Sequence, residues 1–109
     1  MTRYRMVSLT NVLDGREKEF NEWYEQVHLG DLLALDGMLS GQRYRLIDDP
    51  EWAYLADYEV ETDDIRGLLE RMNRRAQSGE IYFSPAFDMN FKVFTGQEIG
   101  PRHFSKRTG

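Results

Sequence analysis

A histidine and an aspartate lie one helical turn apart in the segment FNEWYEQVHLGD, residues 20–31. His28 and Asp31 are three positions apart, so their side chains can meet on one side of a helix. An aspartate that holds a histidine in one tautomer prepares the imidazole to act as a general base. Tyr24, one turn before His28, adds a hydroxyl group. We therefore predict that His28, Asp31 and Tyr24 form a catalytic group.

The same pair also has a structural explanation, which the sequence leaves open. A His-x-x-Asp spacing recurs by chance, so His28 can be a satisfied residue at the border of the core. Asp31 can cap a new helical turn if the helix breaks at Gly30. On a regular helical wheel with Phe20 at zero, Val27 lies at about −20°, Asp31 at about 20° and His28 at about 80°. This wheel places Asp31 inside the apolar stripe and His28 at its edge.

Aromatic residues surround the candidate pair in the sequence. Phe20, Trp23, Tyr24 and Val27 follow the i, i+3, i+4, i+7 spacing of an amphipathic helix. Such residues either pack in the core or form the walls of a pocket, and the pattern does not separate the two roles. The same holds for the loop around Phe83, which either closes over a pocket or packs. The residues that we predict to bind a substrate are Phe20, Trp23, Tyr44, Tyr54, Tyr58 and Phe83.

Hydrophobic spacing predicts six elements of secondary structure. Period-two alternation predicts strands over 3–12, 38–48, 52–61 and 89–95, and helical spacing predicts helices over 16–35 and about 63–77. Thr62 or Asp63 is expected to cap the second helix. Residues 79–88 are expected to form a loop.

The order β-α-β-β-α-β is the ferredoxin-like arrangement, an α+β fold with a four-stranded antiparallel sheet and two helices on one face. We expect one domain over residues 1–109, with a core of about 3–95 and a polar tail over 96–109. The second face of the sheet also carries apolar residues, and an uncovered apolar face usually meets a partner. Two such sheets packed face to face predict a homodimer with a barrel-like interior.

Composition excludes several classes of protein. The formal net charge of −5 does not favour binding to a phosphate backbone, and Arg71, Arg74 and Arg75 are interpreted as a solvated helix face. The chain has no cysteine, so it forms no disulfide and no thiol nucleophile. Its two histidines, His28 and His103, form no metal-ligand motif, and His103 lies in the polar tail. The sequence also has no apolar run of ~18 residues and no signal peptide. We expect a soluble cytoplasmic protein that binds neither membranes nor nucleic acids.

The chain resembles a known family in the segments DGREKEFNEWYEQVHLGDLLAL, GQRYRL and YLADYEVETDD. They are similar to the EthD-like branch of the dimeric α/β-barrel superfamily, over roughly residues 4–95. The most specific part is the block F-x-x-W-Y-x-x-x-H-L, matched by Phe20, Trp23, Tyr24, His28 and Leu29. The resemblance implies a homodimer of ferredoxin-like subunits, each with a cleft between sheet and helices.

The resemblance also implies a site. The recurring helix histidine of the family corresponds to His28, and its aspartate to Asp31. Characterised relatives in the superfamily include polyketide cyclases, dehydratases, lactone isomerases and cofactor-free monooxygenases. Many of them act on aromatic or polyketide-like compounds without a metal or an organic cofactor, so we expect no cofactor here. The sequence departs from the family at Gly30, where related sequences tend to have proline, and glycine predicts a looser helix at that point.

Three functions are compatible with these features. The first is a cofactor-independent lyase, cyclase or isomerase that acts on a small, largely apolar carbonyl compound by proton transfer at His28. The second is a non-catalytic protein that binds a small hydrophobic ligand, for instance in a stress response. The third is a cofactor-free monooxygenase acting on electron-rich aromatic compounds. Binding of haem, with His28 as axial ligand, is the least favoured of the alternatives.

Overall fold

A single four-stranded antiparallel sheet organises the molecule. A computed structural model describes residues 1–107, and residues 108 and 109, the end of the predicted tail, lie outside the described residues. The strands follow the order β2-β3-β1-β4 across the sheet. They are β1 (Thr2–Thr10), β2 (Met38–Arg45), β3 (Tyr54–Thr62) and β4 (Lys92–Gln97).

The helical segments follow the predicted order. The first connection holds α1 (Glu17–Trp23), a π-helical turn (Tyr24–His28) and α2 (Leu29–Leu33), which form one continuous run. The second connection holds α3 (Ile65–Ser78). The predicted ferredoxin-like order β-α-β-β-α-β is therefore confirmed. No helix among residues 1–107 is long and apolar enough to cross a membrane.

The core lies on one face of the sheet. Directly opposed residues of antiparallel strands share a face, and the register pairs Met6 with Tyr58 and Ser8 with Ala56. All four of these residues are buried. Phe20 and Leu68, from the two helical connections, pack into the same cluster.

The opposite face of the sheet, which we call the open face, is covered by neither helical connection. Its apolar end includes Val7, Leu9 and Leu55, which are only half-buried, and the exposed Phe94. Its other end carries ion pairs such as Arg5 to Asp57, with 2.9 Å between nitrogen and oxygen.

The last strand begins and ends later than predicted. The prediction of 89–95 was wrong at both ends, because the Asp88 side chain accepts a hydrogen bond from the Asn90 N–H and holds a turn where the strand was expected to begin. At the other end, Gly96 and Gln97 pair with Arg5 and Tyr4 of β1. The sheet thus includes two residues that were assigned to the tail.

The cap of α3 also differs from the prediction. Asp64, not Thr62 or Asp63, is the N-cap, and its carboxylate accepts a hydrogen bond of 3.0 Å from the Gly67 N–H. Thr62 instead accepts a hydrogen bond from the Asp64 N–H through its hydroxyl. Each of the three residues is a good capping type, so the sequence alone did not decide which of them takes the position.

The π-helical turn changes which residues of the first helix face the core. The Leu29 N–H bonds to the Tyr24 carbonyl, five residues back, so this turn contains one residue more than an α-helical turn. One extra residue rotates all later side chains back by about 100° relative to a regular helix. His28 therefore takes the buried position predicted for Val27, and Val27 is 39% exposed.

The same rotation corrects the prediction for Asp31. Its side chain is half-buried at the border of the apolar stripe, not inside it. Gly30 lies within α2, so the helix does not break there. The irregularity that places His28 precedes the glycine and was not predicted.

Candidate functional site

A cleft opens between the sheet and the helices, on the face that holds the core. Its empty volume is about 530 Å³, including the part that is open to solvent. Strand β1 contributes Ser8, the first helical run contributes Tyr24 and His28, β3 contributes Tyr58, and the loop after α3 contributes Phe83. The remaining lining residues are Met6, Thr10, Leu32, Met72, Ala76, Ile81, Phe87, Phe91 and Val93.

His28 lies among aromatic rings in this cleft and is only 6% exposed. Its imidazole stacks on Trp23, with ring centroids 4.6 Å apart, and meets Tyr24 edge-on at 4.8 Å. The ring of Phe83 lies at 5.3 Å. Nδ1 of His28 is buried and has no hydrogen-bond partner among residues 1–107.

The surroundings of His28 keep its imidazole neutral. Burial lowers the pKa of His28 to about 4, because an apolar environment disfavours the charged form. The charge of Asp31 opposes this shift, and that of Arg43 adds to it. At neutral pH the imidazole therefore carries a free lone pair and can accept a proton.

Three hydroxyl groups form a chain along the floor of the cleft. The Tyr24 and Tyr58 oxygens are 2.9 Å apart, and the Tyr24 oxygen is 3.4 Å from Ser8 Oγ. Three hydroxyls supply three protons, and two internal hydrogen bonds use two of them. One proton of the chain is left to donate elsewhere, and all three residues line the cleft. Burial, followed by the neighbouring Tyr24, raises the pKa of Tyr58, so this hydroxyl keeps its proton.

Asp31 does not hold His28 in the way that the sequence suggested. Within residues 1–107 no hydrogen bond joins the two side chains, and Asp31 Oδ2 instead accepts a hydrogen bond of 3.3 Å from the Tyr82 N–H. The Trp23 indole N–H donates to the Tyr82 carbonyl at 3.0 Å. The backbone of Tyr82 is thus bound on both sides by the first helical run, and this contact fixes the loop that carries Phe83.

The predicted substrate-binding residues divide into two groups. Tyr58 and Phe83 line the cleft. Phe20 is fully buried in the core, and Tyr54 packs against it with ring centroids 5.1 Å apart. Trp23 does not line the cleft itself, and it supports the site from behind by stacking on His28 and meeting Tyr24 edge-on at 5.3 Å.

The prediction for Tyr44 was wrong. Tyr44 pairs with Leu55 in the sheet register, so its side chain lies on the open face, away from the cleft, and it is 49% exposed. Strand alternation alone could not show this, because both faces of the sheet carry apolar residues.

Several cleft residues were not singled out from the sequence. The alternation of β1 placed Ser8 and Thr10 on one face with Met6, but it did not show that this face meets the helices. Phe87 and Phe91 belong to the loop before β4, whose path no periodic pattern predicts. Residues 1–107 contain no group of three or more histidine, cysteine or acidic side chains that could hold a metal ion.

Comparisons with known proteins agree with the fold. No protein-family model and no curated protein sequence matches the chain. Among solved structures, an EthD family protein from Bacillus halodurans is similar, with a TM-score of 0.58 and 13% identity, covering 91% of this chain and 100% of the other. The heme-degrader MhuD from Mycobacterium tuberculosis, with two hemes bound in its active site, has a TM-score of 0.66 and 13% identity, covering 92% and 99%.

A third similar structure is a candidate antibiotic biosynthesis monooxygenase from Bordetella bronchiseptica. Its TM-score is 0.66 at 17% identity, and the match covers 91% of this chain and 99% of that protein. At these identities the likeness establishes the fold. The ferredoxin-like fold implied by the resemblance to the EthD-like branch is therefore confirmed.

Proposed function

We propose that the cleft binds a small, neutral, largely apolar carbonyl compound, aromatic or polyketide-like, and that His28 moves a proton on it. The observation that carries the proposal is a neutral, buried imidazole beside a hydroxyl chain with one proton to spare. A proton acceptor and a hydrogen-bond donor in one apolar cleft are what enolisation requires. The chemistry needs no group beyond these side chains, so we propose a cofactor-independent lyase, cyclase or isomerase.

In the proposed reaction, neutral His28 takes a proton from a carbon next to the substrate carbonyl. The electron pair of the broken C–H bond forms a C=C bond with the carbonyl carbon, and the π pair of the carbonyl moves onto its oxygen, which gives an enolate. The hydroxyl chain, through Tyr24 or Tyr58, donates a hydrogen bond to that oxygen. The imidazolium then returns its proton to another carbon or to a leaving group. Asp31 does not take part in the proton transfer, but its negative charge stabilises the imidazolium form of His28 from a distance.

The low pKa of His28 limits the substrates. A weak base is effective only if the proton that it removes is acidic, so the carbon should lie between two carbonyl groups or be part of an acidic enol. The cleft lining includes no lysine or arginine. An anionic substrate would therefore leave its charge unpaired in an apolar environment, which is costly.

A monooxygenase is the second candidate, and the similarity to the Bordetella bronchiseptica protein supports it. A deprotonated phenol or enol is electron-rich and can react with molecular oxygen. Removal of the proton by His28 would then be the first step of either reaction, and only the fate of the anion would differ.

Haem does not suit this cleft as well as a neutral compound does. His28 offers an imidazole nitrogen, which is a common axial ligand. The two propionate groups of haem, however, need cationic or polar partners, and the lining residues provide no cation. We therefore do not propose haem as the ligand of this cleft.

Solvent deuterium exchange tests the proposal without knowledge of the natural substrate. A panel of 1,3-diketones and hydroxylated aromatic ketones is incubated with the protein in D₂O, and loss of the acidic C–H signal is followed by NMR. We expect the wild type to speed exchange of at least one compound, and His28→Gln to lower the rate by about 10²–10⁴-fold. His103→Gln, which changes the histidine in the tail, serves as the matched control.

Each result of this experiment has a distinct meaning. Exchange that is equally fast in His28→Gln would exclude His28 as the base. Binding of panel compounds without exchange or any product would identify a ligand-binding protein. Consumption of one O₂ with formation of a quinone and water, in which the phenol itself supplies the electrons, would favour the monooxygenase.

A further inference from the structure

Arg43 of β2 lies against the ring of Tyr24 from outside the cleft. Its guanidinium carbon is 4.5 Å from the centroid of the Tyr24 ring, within the range of a cation–π contact. The rings of Phe20 and Tyr54 lie at 5.6 Å each. The Arg43 side chain is only 12% exposed. It does not line the cleft and instead borders a separate groove with Asn21, Glu25, Tyr44, Arg45 and Tyr54.

Two hydrogen bonds fix the plane of this guanidinium. One nitrogen of Arg43 donates to Asn21 Oδ1 at 2.7 Å, and the other donates to Glu25 Oε2 at 3.0 Å. Both partners belong to the first helical run, so Arg43 ties the edge strand to the helix that carries Tyr24 and His28. This geometry leaves the guanidinium little freedom to move away from the ring.

The positive charge of Arg43 is only partly neutralised. Asn21 is uncharged, and the Glu25 side chain is 59% exposed, so water screens its carboxylate. The guanidinium itself is largely desolvated, and charges in such an environment act over a longer range than in water.

We propose that Arg43 is a positioning residue for the cleft: its guanidinium holds the Tyr24 ring in place, and its charge favours negative charge on a ligand oxygen that Tyr24 or Tyr58 contacts. This inference rests on the proposed function, because a developing enolate or phenolate oxygen is the charge that Arg43 would favour. It adds to that function a cation that never touches the substrate, and it predicts that the anionic form of a weakly acidic ligand binds less unfavourably with Arg43 in place than without it.

The charge of Arg43 affects the pKa of two cleft residues. Burial is the main cause of the low pKa of His28, and the charge of Arg43 lowers that pKa further. Burial also raises the pKa of Tyr58, and Arg43 opposes this rise. Both directions are those expected if positive charge reaches the cleft from behind Tyr24.

Two measurements on the chain of 109 residues test the inference. The first is an NMR titration of the His28 imidazole in wild type, Arg43→Met and Arg45→Met. Arg45 is the matched control, because it lies on the same face of β2, 6.0 Å from the Tyr54 ring, and borders the same groove. We expect Arg43→Met to raise the pKa of His28 toward 6.5 and Arg45→Met to leave it unchanged.

The second measurement uses 4-nitrophenol, whose neutral and anionic forms absorb at different wavelengths. We expect the wild type to hold a larger fraction of the bound probe as phenolate than Arg43→Met does. The ratio of phenolate to phenol affinity should fall about tenfold in the variant, which corresponds to one pKa unit of the bound probe. Arg43→Lys keeps the charge without the planar group, so it should preserve the ratio while the Tyr24 ring flips faster in NMR spectra.

An unchanged pKa of His28 and an unchanged phenolate ratio in Arg43→Met would overturn the inference and leave Arg43 a structural residue. If Arg43→Met does not fold, Arg43→Gln removes the charge while keeping a donor for Asn21. The pKa of His28 and the phenolate ratio are then compared between wild type and Arg43→Gln. A different result would contradict the proposed function without contradicting the role of Arg43. A pKa shift in Arg43→Met, in a protein that exchanges no proton on any panel compound, would contradict catalysis and support the role of Arg43.

Discussion

The imidazole of His28 lies against Trp23, Tyr24 and Phe83, and little of its surface reaches water. A charged imidazolium in this position would lose most of its hydration without gaining a hydrogen bond at Nδ1. The residue therefore stays neutral at physiological pH, where it is always available as a base, although a weak one. An anion formed next to it would stabilise the imidazolium, so proton transfer is favoured only when a suitable ligand is bound.

The same neutrality makes the free energy of unfolding depend on pH. The unfolded chain binds a proton at His28 below pH 6.5, and the folded chain does so only below about 4, so the unfolded state binds more protons between these values. Stability should therefore fall as the pH drops through this window, by about 3 kcal/mol in total. Urea unfolding at pH 7, 5.5 and 4 should show this loss in wild type and in His103→Gln, and a smaller loss in His28→Leu. If the free energy of unfolding depended on pH equally in all three proteins, burial of neutral His28 would not be the cause of the loss.

At the level of single residues, part of the site could be predicted from the sequence. The block F-x-x-W-Y-x-x-x-H-L led to His28 and Tyr24, and both line the cleft. The expectation that Asp31 binds His28 was wrong. Helical spacing shows that two side chains can meet, but it does not exclude a third group that binds one of them instead. The backbone N–H of Tyr82, from a loop 51 residues away, occupies the Asp31 carboxylate, and no local pattern reports such a contact.

The π-helical turn is the element that places His28. A regular helix from Glu17 to Leu33 would have buried Val27 and Asp31 and left His28 at the edge of the stripe. The extra residue in Tyr24–His28 puts His28 and Leu32 in register with Phe20. Isolated π-helical turns occur often at functional sites, and sequence periodicity cannot predict them, because the wheel assumes a constant angle per residue.

Deleting the exposed Gln26 should convert this turn into an α-helical one and keep the register on both sides. We expect the variant to fold, with a free energy of unfolding within about 1 kcal/mol of wild type, since no buried contact is lost. Inserting an alanine after Gln26 should rotate His28 and Leu32 out of the core and cost several kcal/mol. Urea unfolding compares the two variants, and an insertion that is better tolerated than the deletion would show that the turn does not set the register.

The loop that carries Phe83 is the second element that shapes the cleft. Trp23 and Asp31 bind the carbonyl and the N–H of Tyr82, so removing either contact should free this loop. We expect Asp31→Ala and Trp23→Phe to increase amide hydrogen exchange at Tyr82 and Phe83, while exchange in β1 stays unchanged. Glu22→Ala, an exposed change on the same helical run, is the control. Unchanged protection of the loop in both variants would mean that packing of Phe83 alone holds it.

On the scale of the whole molecule, the open face of the sheet needs explanation. Val7, Leu9 and Leu55 are half-buried there, and Phe94 is 44% exposed. We propose that a second copy covers this face, as the resemblance to the dimeric α/β-barrel superfamily implies.

A dimer formed in this way should depend on the open face and not on the helices. We expect light scattering after size-exclusion chromatography to give about twice the chain mass for wild type. Phe94→Lys should give a folded monomer, because a lysine there would bury its charge against the partner. Val27→Lys, at an exposed helical position on the other side of the sheet, should remain a dimer. A monomeric wild type would contradict the proposed assembly.

The fold was accessible to sequence reasoning because it rests on patterns that repeat. Alternation in β1 and β3 and the stripe of α3 each involve several residues, so one irregular residue does not hide them. The end of β4 was missed because Gly96 and Gln97 are turn-like residues, and only their pairing with β1 keeps them in the sheet. The lining of the cleft depends on which face of the sheet meets the helices. Tertiary packing decides this, so the sequence did not show that Tyr44 lies on the open face.

An NMR pH titration of His28, with and without a bound 1,3-diketone or phenol, tests the central claim most directly. His103→Gln leaves a single imidazole to follow. Neutral His28 in an apolar cleft predicts a pKa of about 4 in the free protein and a higher pKa once an acidic ligand is bound. A pKa near 6.5 that no ligand changes would contradict the account, since His28 would then be hydrated and outside any binding site.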